Sequence, residues 1–305
     1  MSFDRLQEKI DTMKNPTVVG LDPDLENIPP MILERHLGEK GETLQAAADG
    51  VLEFNMGLID ALWDIVPAVK PQAAFYEILG PEGVAALKKT CEYAKSKGMY
   101  VICDAKRNDI GTTAVAYSAA YLGTVKIGET LLRPFDVDAL TVNAYLGSDG
   151  IIPFIEEAVK NDKAVFTLVK TSNPSSGELQ DTFIGQERLY TVVAELMEKI
   201  SADTIGNYGF SRVGAVVGAT YPQEMEFLRS RLKNTFFLVP GYGAQGGSVA
   251  DVAHAFTEKK QGAIVNSSRG VIAAWKNTGN NGQDYPAAAR EAAIKMKADL
   301  ASILD

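Results

Sequence analysis

The sequence has little of what marks disulfide-stapled or membrane-spanning proteins. Only two of its 305 residues are cysteines, Cys91 and Cys103, and neither has metal-ligand spacing, so we expect buried free thiols in a reducing compartment. No apolar run approaches the length of a membrane span. The N-terminal "MSFDRLQEKIDTMKNP" lacks the continuous apolar core of a signal peptide, and its apolar spacing predicts a helix. We therefore expect a cytoplasmic protein without membrane contact.

Acidic residues outnumber basic ones, 39 to 30, and there are only two histidines. The formal net charge is -9, which argues against nucleic acid as a partner, although a local basic pocket could hold a small anion. His36 and His254 lie in polar segments away from the predicted strands, and no serine or cysteine with a partnering histidine is evident. Histidine-assisted nucleophilic catalysis is therefore not expected.

Eight short runs rich in Val, Ile and Phe alternate with amphipathic segments along the chain. One such segment, "PEGVAALKKTCEYAKSKG", has Pro near its start and Gly after its end, as helices do. The pattern predicts an α/β fold with a parallel sheet covered by helices, and eight units fit a single-domain (β/α)8 TIM barrel over residues 1–305. An open doubly wound sheet is the alternative, but no G-x-G-x-x-G follows the first run. The runs are 17–22, 68–72, 100–106, 139–145, 164–170, 213–220, 235–241 and 262–268.

Polar residues follow most of these runs at the C-terminal side, where a barrel builds its active site. In "VICDAKRNDIG" (101–111), Asp104 and Lys106 are two residues apart and would project from the same face of a strand. Burying two such charges is costly unless they pair with each other or with a ligand. The polar residues at or just beyond the strand ends are Asp22, Lys70, Asp104, Lys106, Asn143, Lys170 and Arg269.

These residues would form an array of alternating ammonium and carboxylate groups. It contains Lys70, Asp104, Lys106 and Asp109, with Asp22 nearby. A salt-bridge network at the rim is the alternative interpretation. On apolar strands that face one mouth, the array instead favours proton transfer: a lysine held charged between carboxylates is a positioned acid, and a fixed carboxylate can repel a departing one.

The last two runs are each followed by glycine-rich sequence. "PGYGAQGGS" (240–248) and "NSSRG" (266–270) would lie in the loops after strands seven and eight, a frequent phosphate site in barrels. Glycine lets the backbone approach a ligand closely, and an arginine adds a bidentate partner. We expect Gln245 and Arg269 to bind a phosphate.

Together these motifs resemble the orotidine 5'-phosphate decarboxylase family, in its longer bacterial branch. The resemblance covers most of the chain. D-x-K-x-x-D alone is shared with related sugar-phosphate enzymes, but the glycine-rich pair after the "KTSNP" loop is specific. The matching segments are "GLDPD" (20–24), "VKPQAAFYE" with Lys70, "DAKRNDIGTT", "KTSNPSS" (170–176), "PGYGAQGG" and "SSRG".

The resemblance implies decarboxylation of orotidine 5'-monophosphate to UMP without metal or organic cofactor. By motif position, Lys106 would protonate C6 and Asp104 would face the substrate carboxylate. Lys70 and Asp22 would hold the charge network and the ribose hydroxyls. Further implied substrate contacts are Ser172 to the pyrimidine ring, Gln245 and Arg269 to the phosphate, and Asp109 and Thr113 to the neighbouring subunit's site across a two-fold homodimer.

Two segments are longer than a minimal barrel requires, one near 25–53 and one near 171–187. The second is polar and contains Gly and Ser, which predicts a mobile lid. Two other functions stay open from the sequence. One is a Mg²⁺-dependent sugar-phosphate decarboxylase or aldolase of the same barrel group. The other is a nucleotide-phosphate binding protein without activity, although simple binding would not require the charged array.

Overall fold

Eight parallel strands close into a barrel, and each strand lies beside the strands that precede and follow it in the chain. The first strand pairs with the second and also with the eighth, which closes the ring. The computed structural model describes residues 1–243 and 246–304. Its barrel strands are β1 (Thr17–Leu21), β2 (Ala68–Pro71), β3 (Tyr100–Arg107), β4 (Ala139–Val142), β5 (Ala164–Lys170), β6 (Val213–Val217), β7 (Phe237–Val239) and β8 (Ala263–Ser267).

Helices cover the outside of the barrel between successive strands. Leu44–Leu62 and Gly80–Ser96 pack against each other through apolar faces, which buries the outer side of the first strands. None of the helices in the described part of the chain is both long and apolar enough to cross a lipid bilayer. The helices are Ser2–Met13, Pro30–Lys40, Leu44–Leu62, Ala74–Glu77, Gly80–Ser96, Gly111–Leu122, Ile152–Asn161, Gly177–Gln180, Leu189–Ile200, Pro222–Arg231, Val249–Ala253, Arg269–Ile272 and Tyr285–Leu304.

The N-terminal end of the barrel is filled with aromatic side chains. Phe3, on the predicted N-terminal helix, stacks on Phe236 with ring centroids 5.0 Å apart and lies 4.9 Å from Phe166. All three are essentially inaccessible to solvent, and they join an interior layer of small and branched residues from the other strands. Because aromatic side chains fill the N-terminal end of the barrel, an open pocket lined by polar side chains can form only at the C-terminal end of the strands.

The predicted barrel is confirmed, and each strand lies within or within one residue of its predicted run. The two long segments contain structure of their own. Residues 25–53 hold the short 3-10 helix Leu25–Asn27, the helix Pro30–Lys40 and the start of Leu44–Leu62. Residues 171–187 hold the short helices Pro174–Ser176 and Gly177–Gln180, and a small hairpin begins at Phe183. The mobility of this second segment stays a prediction.

Candidate active site

A carboxylate between two ammonium groups lies at the C-terminal end of β2 and β3. Asp104 Oδ2 is 2.9 Å from Lys70 Nζ, and Asp104 Oδ1 is 2.6 Å from Lys106 Nζ. We refer to Lys70, Asp104 and Lys106 as the charged centre. The alternation of the strands explains the arrangement, because Lys70, Asp104 and Lys106 follow inward-facing residues at intervals of two.

Two neutral side chains complete the coordination of Asp104, and the sequence analysis missed both. Gln72 Nε2 donates to Asp104 Oδ2 at 3.1 Å, and Thr141 Oγ1 donates to Oδ1 at 2.8 Å. The two-residue spacing of strand side chains could have identified both. Gln72 is two residues after Lys70, and Thr141 is two residues after the inward-facing Ala139 on β4. With these donors the carboxylate accepts four hydrogen bonds, which fixes both of its oxygens.

The electrostatics of the charged centre keep Asp104 anionic. Burial alone would raise the pKa of its carboxyl, but the ammonium groups of Lys70 and Lys106 outweigh burial and hold that pKa well below its ordinary value. Burial would likewise lower the pKa of Lys70, whereas the Asp104 carboxylate, followed by Asp22, raises it above its ordinary value. Each buried charge is therefore stabilised by its partner.

The two lysines differ in access to the barrel mouth. The Lys70 side chain is 5% exposed, whereas that of Lys106 is 44% exposed. Lys106 also has a left-handed backbone (φ 48°), at an irregularity of β3 where the pairing with β4 shifts register after Cys103. Its backbone N–H donates to Thr141 Oγ1 at 2.9 Å, which holds the strained residue in place. The bulge presents the Lys106 ammonium to the mouth while Asp104 anchors it.

Asp22 lies at the end of β1, next to the charged centre, and carries an unused acceptor. Its Oδ1 is buried and has no hydrogen-bond partner among the described residues. Backbone pairing of Gly20 with Lys70 brings this strand end beside β2. A Cβ at Gly20 would lie 1.9 Å from Ser268 Oγ, so only glycine lets β1 approach the segment after β8 this closely. An orphaned buried acceptor at a strand end is a ready contact for a ligand hydroxyl.

Asp109 and Thr113 are not brought into the charged centre of their own chain. Asp109 Oδ1 accepts a hydrogen bond from the Ile110 N–H at 2.8 Å, and Thr113 is exposed in the first turn of the helix Gly111–Leu122. Apolar side chains around them are also exposed, with Ile110 at 56% and Val115 at 51%. The half-buried Asp109 and the exposed Thr113 therefore lie on a surface that also exposes apolar side chains.

The remaining predicted residues lie around the same mouth. Ser172 follows β5 and Arg269 begins the short helix after β8, where its side chain is exposed. The backbone of β8 pairs with that of β1, so Arg269 is on the same side of the mouth as Asp22. Gln245 lies outside the described residues. Within those residues, no three His, Cys, Asp or Glu side chains come together as a group that could hold a metal ion.

The residues between Lys106 and Asp109 brace the loop that follows β3. Arg107 lies 5.7 Å from the ring centroids of both Tyr117 and Tyr121, donates to the Tyr121 hydroxyl at 3.2 Å and pairs with Glu77. Asn108 Nδ2 donates to the Gly150 carbonyl at 3.0 Å. These contacts tie the loop carrying Asp109 to the segments after β2 and β4.

The geometry predicts that Asp104→Asn destabilises the fold by about 3 kcal/mol at neutral pH, because Lys70 is left buried beside a neutral amide. The folded-state pKa of Asp104 is below its ordinary value, so this stability is complete above about pH 5 and is lost as the pH falls through the folded-state value. Urea unfolding at pH 7 measures the destabilisation, and a series down to about pH 3 measures the start of the loss, which begins below the unfolded-state pKa of about 4.

Asp60→Asn is the matched control for that measurement. Asp60 pairs with Lys97 at 2.6 Å on the surface, where its side chain is 49% exposed, and we expect its loss to cost less than about 1 kcal/mol. Equal stabilities of Asp104→Asn and the unchanged protein at pH 7 would show that Lys70 does not depend on the carboxylate.

Known proteins resemble this chain in both sequence and fold. A sequence model of the orotidine 5'-phosphate decarboxylase / HUMPS family matches residues 19–285. The chain belongs to this family. Orotidine 5'-phosphate decarboxylase from Caldicellulosiruptor bescii is 43% identical over 274 residues, which is 90% of each chain, and that from Rhodopirellula baltica is 43% identical over 288 residues, 93% of each. The structure of Leishmania donovani OMP decarboxylase superimposes with a TM-score of 0.74 at 32% identity, covering 98% of both chains.

Membership of the orotidine 5'-phosphate decarboxylase family confirms the resemblance, the barrel fold and the enzyme class predicted from sequence. The relatives named orotidine 5'-phosphate decarboxylase match this chain over at least 90% of their length, which favours this activity over the sugar-phosphate alternative. The buried lysine and aspartate network is compatible with it.

Proposed function

We propose that this chain converts orotidine 5'-monophosphate to UMP and CO2 in pyrimidine biosynthesis without a cofactor, with Lys106 as the proton donor. One observation carries the assignment of roles: Asp104 is held anionic between two lysines, and of these Lys106 reaches the mouth. A proton donor must reach the reacting carbon, whereas Lys70 is enclosed. Lys70 therefore keeps Asp104 charged and in place.

The chemistry uses the charges in a defined order. When the bond between C6 and the carboxylate breaks, its electron pair stays on C6 and CO2 departs. The Lys106 ammonium, beside C6, stabilises this developing charge and then transfers a proton to the carbon, leaving a neutral amine that regains a proton from water. Asp104 faces the substrate carboxylate and disfavours it relative to a transition state in which that charge disperses.

The other strand ends would hold the substrate away from the reacting carbon. Arg269, with Gln245, binds the phosphate, and Ser172 hydrogen-bonds the pyrimidine ring. The unused Oδ1 of Asp22 accepts from a ribose hydroxyl. Binding energy at the phosphate, remote from C6, contributes to catalysis when it is used to hold the reacting groups in position.

The active site would be completed by a second copy of the chain in a two-fold dimer. Asp109 bonds to the Ile110 N–H rather than to its own charged centre, Thr113 is exposed, and both lie among exposed apolar side chains that include Ile110 and Val115. The loop after β4 lies beside this helix and adds Tyr145, which is 77% exposed. An isologous contact through this surface would carry Asp109 and Thr113 to the partner's site.

We place this activity in the cytoplasm, among the other metabolites of nucleotide synthesis. The free, buried Cys91 and Cys103 are compatible with a reducing compartment. Neither nucleic acid nor a membrane is part of the proposed reaction.

The proposed function is tested by following the absorbance of orotidine 5'-monophosphate with purified protein in excess EDTA. We expect turnover at about 1 s⁻¹ or faster, with UMP and CO2 as products. No turnover in EDTA, with activity on a pentulose or hexulose phosphate after Mg²⁺ is restored, would contradict the proposal and support the sugar-phosphate alternative. Binding of UMP without turnover of any of these substrates would support a binding protein instead.

A further inference from the structure

A fully buried lysine at the end of β5 takes no part in the charged centre. The pairing of β5 with β6 shifts by one residue there: Val216 pairs with Leu168, whereas Val217 pairs with Lys170. This bulge at Val169 turns Lys170 away from the barrel mouth and toward the covering helices. Its Nζ lies 2.7 Å from Asp181 Oδ1 and 4.3 Å from the centroid of the Tyr221 ring.

The partner of this lysine belongs to the segment that was predicted to be a lid. A second contact joins the two ends of residues 171–181: the Thr171 N–H donates to Gln180 Oε1 at 2.9 Å, and Gln180 Nε2 donates to Thr171 Oγ1 at 2.7 Å. We call the Lys170–Asp181 and Thr171–Gln180 pairs the latch. Together they close residues 171–181 into a small ring anchored to the barrel wall.

Ser172 lies inside this ring and directly beside the barrel. The Gly218 N–H donates to the Lys170 carbonyl at 2.7 Å, and a Cβ at Gly218 would lie 2.9 Å from the Ser172 Cβ. Ser172 therefore sits against the end of β6 with no space for a side chain between them. Its orientation depends on the backbone that the latch holds.

Burying a lysine ammonium at this position costs free energy of desolvation. Lys170 has no exposed surface, and replacing a buried ion pair by apolar residues often leaves stability unchanged or improves it. Unlike an apolar side chain, the Lys170 ammonium can bind the carboxylate of Asp181, eleven residues further along the chain. The Tyr221 ring covers the ammonium. Tyr221 also accepts a hydrogen bond from Ser176 at 3.2 Å, so the same site contacts the segment twice.

We propose that Lys170 is a positioning residue, whose ion pair with Asp181 orients Ser172 toward the pyrimidine ring of the substrate. The inference rests on the proposed function, in which Ser172 contacts that ring. The bulge in β5 keeps Lys170 apart from the charged centre, so that this lysine can pair with Asp181 instead.

A double-mutant cycle with Ser172 tests the proposal. We expect Lys170→Met to lower kcat/KM about tenfold or more, mainly by raising KM, but to change it less than about twofold in a Ser172→Ala background. A lysine that only supported the fold would lower kcat/KM equally in both backgrounds. Equal effects would therefore overturn the proposal. Asp181→Asn, whose side chain is 30% exposed, serves as the second variant if Lys170→Met does not fold.

Lys163→Met is the matched control, because the same strand is flanked by a second buried ion pair at its other end. Lys163 Nζ lies 2.7 Å from Asp136 Oδ1, and its side chain is 6% exposed. We expect this variant to lose stability while its small effect on kcat/KM stays the same with and without Ser172.

Hydrogen exchange in the absence of substrate separates this inference from the proposed function. We expect amides in 171–188 to exchange at least about tenfold faster in Lys170→Met than in Lys163→Met, because the ends of the segment are released. Unchanged exchange there would overturn the latch even if the protein decarboxylates its substrate. Faster exchange in a protein without decarboxylase activity would keep the latch and reject the proposed function.

Discussion

Lys106→Ala is expected to lower kcat for orotidine 5'-monophosphate by at least about 10³-fold. In the proposed reaction, the variant would lose both the proton donor and the cation that stabilises charge developing at C6. Lys70 cannot substitute, because its ammonium is enclosed and already paired with Asp104 at 2.9 Å. The measurement is the initial rate of absorbance loss at saturating substrate, together with the Kd of UMP.

Lys97→Ala is the control for the Lys106 experiment. Lys97 has a comparable exposed fraction, 33%, and pairs with Asp60 at the end of the helix Gly80–Ser96, outside the barrel. We expect its kcat to stay within about twofold of the unchanged protein. If Lys106→Ala retained more than about a tenth of the original kcat, another group would have to deliver the proton and the assigned role of Lys106 would be wrong.

The barrel could be predicted from the sequence because two separate signals mark its strands. The strands are largely apolar runs, as parallel strands buried on both faces require, and most of them are followed by polar residues that such a core would reject. Runs such as "AVFTLVK" and "YVICDAK" were therefore placed to within one residue. Alternation along β3 also predicted that Asp104 and Lys106 would share a face, which the structure confirms with a distance of 2.6 Å.

For Lys170, the strand pattern gives the wrong side of the barrel wall. Lys170 ends a strand in the same way as Lys70, and the pattern gives both lysines the same expected place at the mouth. A single extra residue in the pairing of β5 with β6 reverses the side to which Lys170 points. Bulges depend on the register of the neighbouring strand, and one strand's sequence does not contain that information.

Gln72 and Thr141 were missed for a different reason. Neither is charged, so neither stood out at the strand ends, although both donate to Asp104. Their role follows from adjacency around the barrel: β3 lies between β2 and β4, and its central carboxylate can draw donors from each. Once the strand order is known, inward-facing polar residues on the two flanking strands become the natural candidates for supporting contacts.

Mixing two inactive variants is expected to restore activity if the active site is shared between subunits. Asp109→Ala and Lys106→Ala each inactivate a homodimer, but a mixed dimer contains one site with Lys106 from one chain and Asp109 from the other. With random exchange of subunits, half of the dimers are mixed and each has one intact site, so about a quarter of the original activity returns. The basis is geometric: Asp109 bonds to its own Ile110 N–H and stays outside its own charged centre.

The matched control for subunit mixing combines Lys106→Ala with Asp104→Ala. Asp104 and Lys106 contact each other within one chain, so every site of a mixed dimer lacks one of them and no activity should return. Rates are measured after co-refolding at equal concentrations, and differently tagged chains show how many mixed dimers have formed. Mixed dimers of Asp109→Ala with Lys106→Ala that stay inactive would place Asp109 in its own subunit's site or outside catalysis. Activity should return with Asp109→Ala and not with Asp104→Ala, because Asp109 would act in the partner's site whereas Asp104 acts in the site of its own chain.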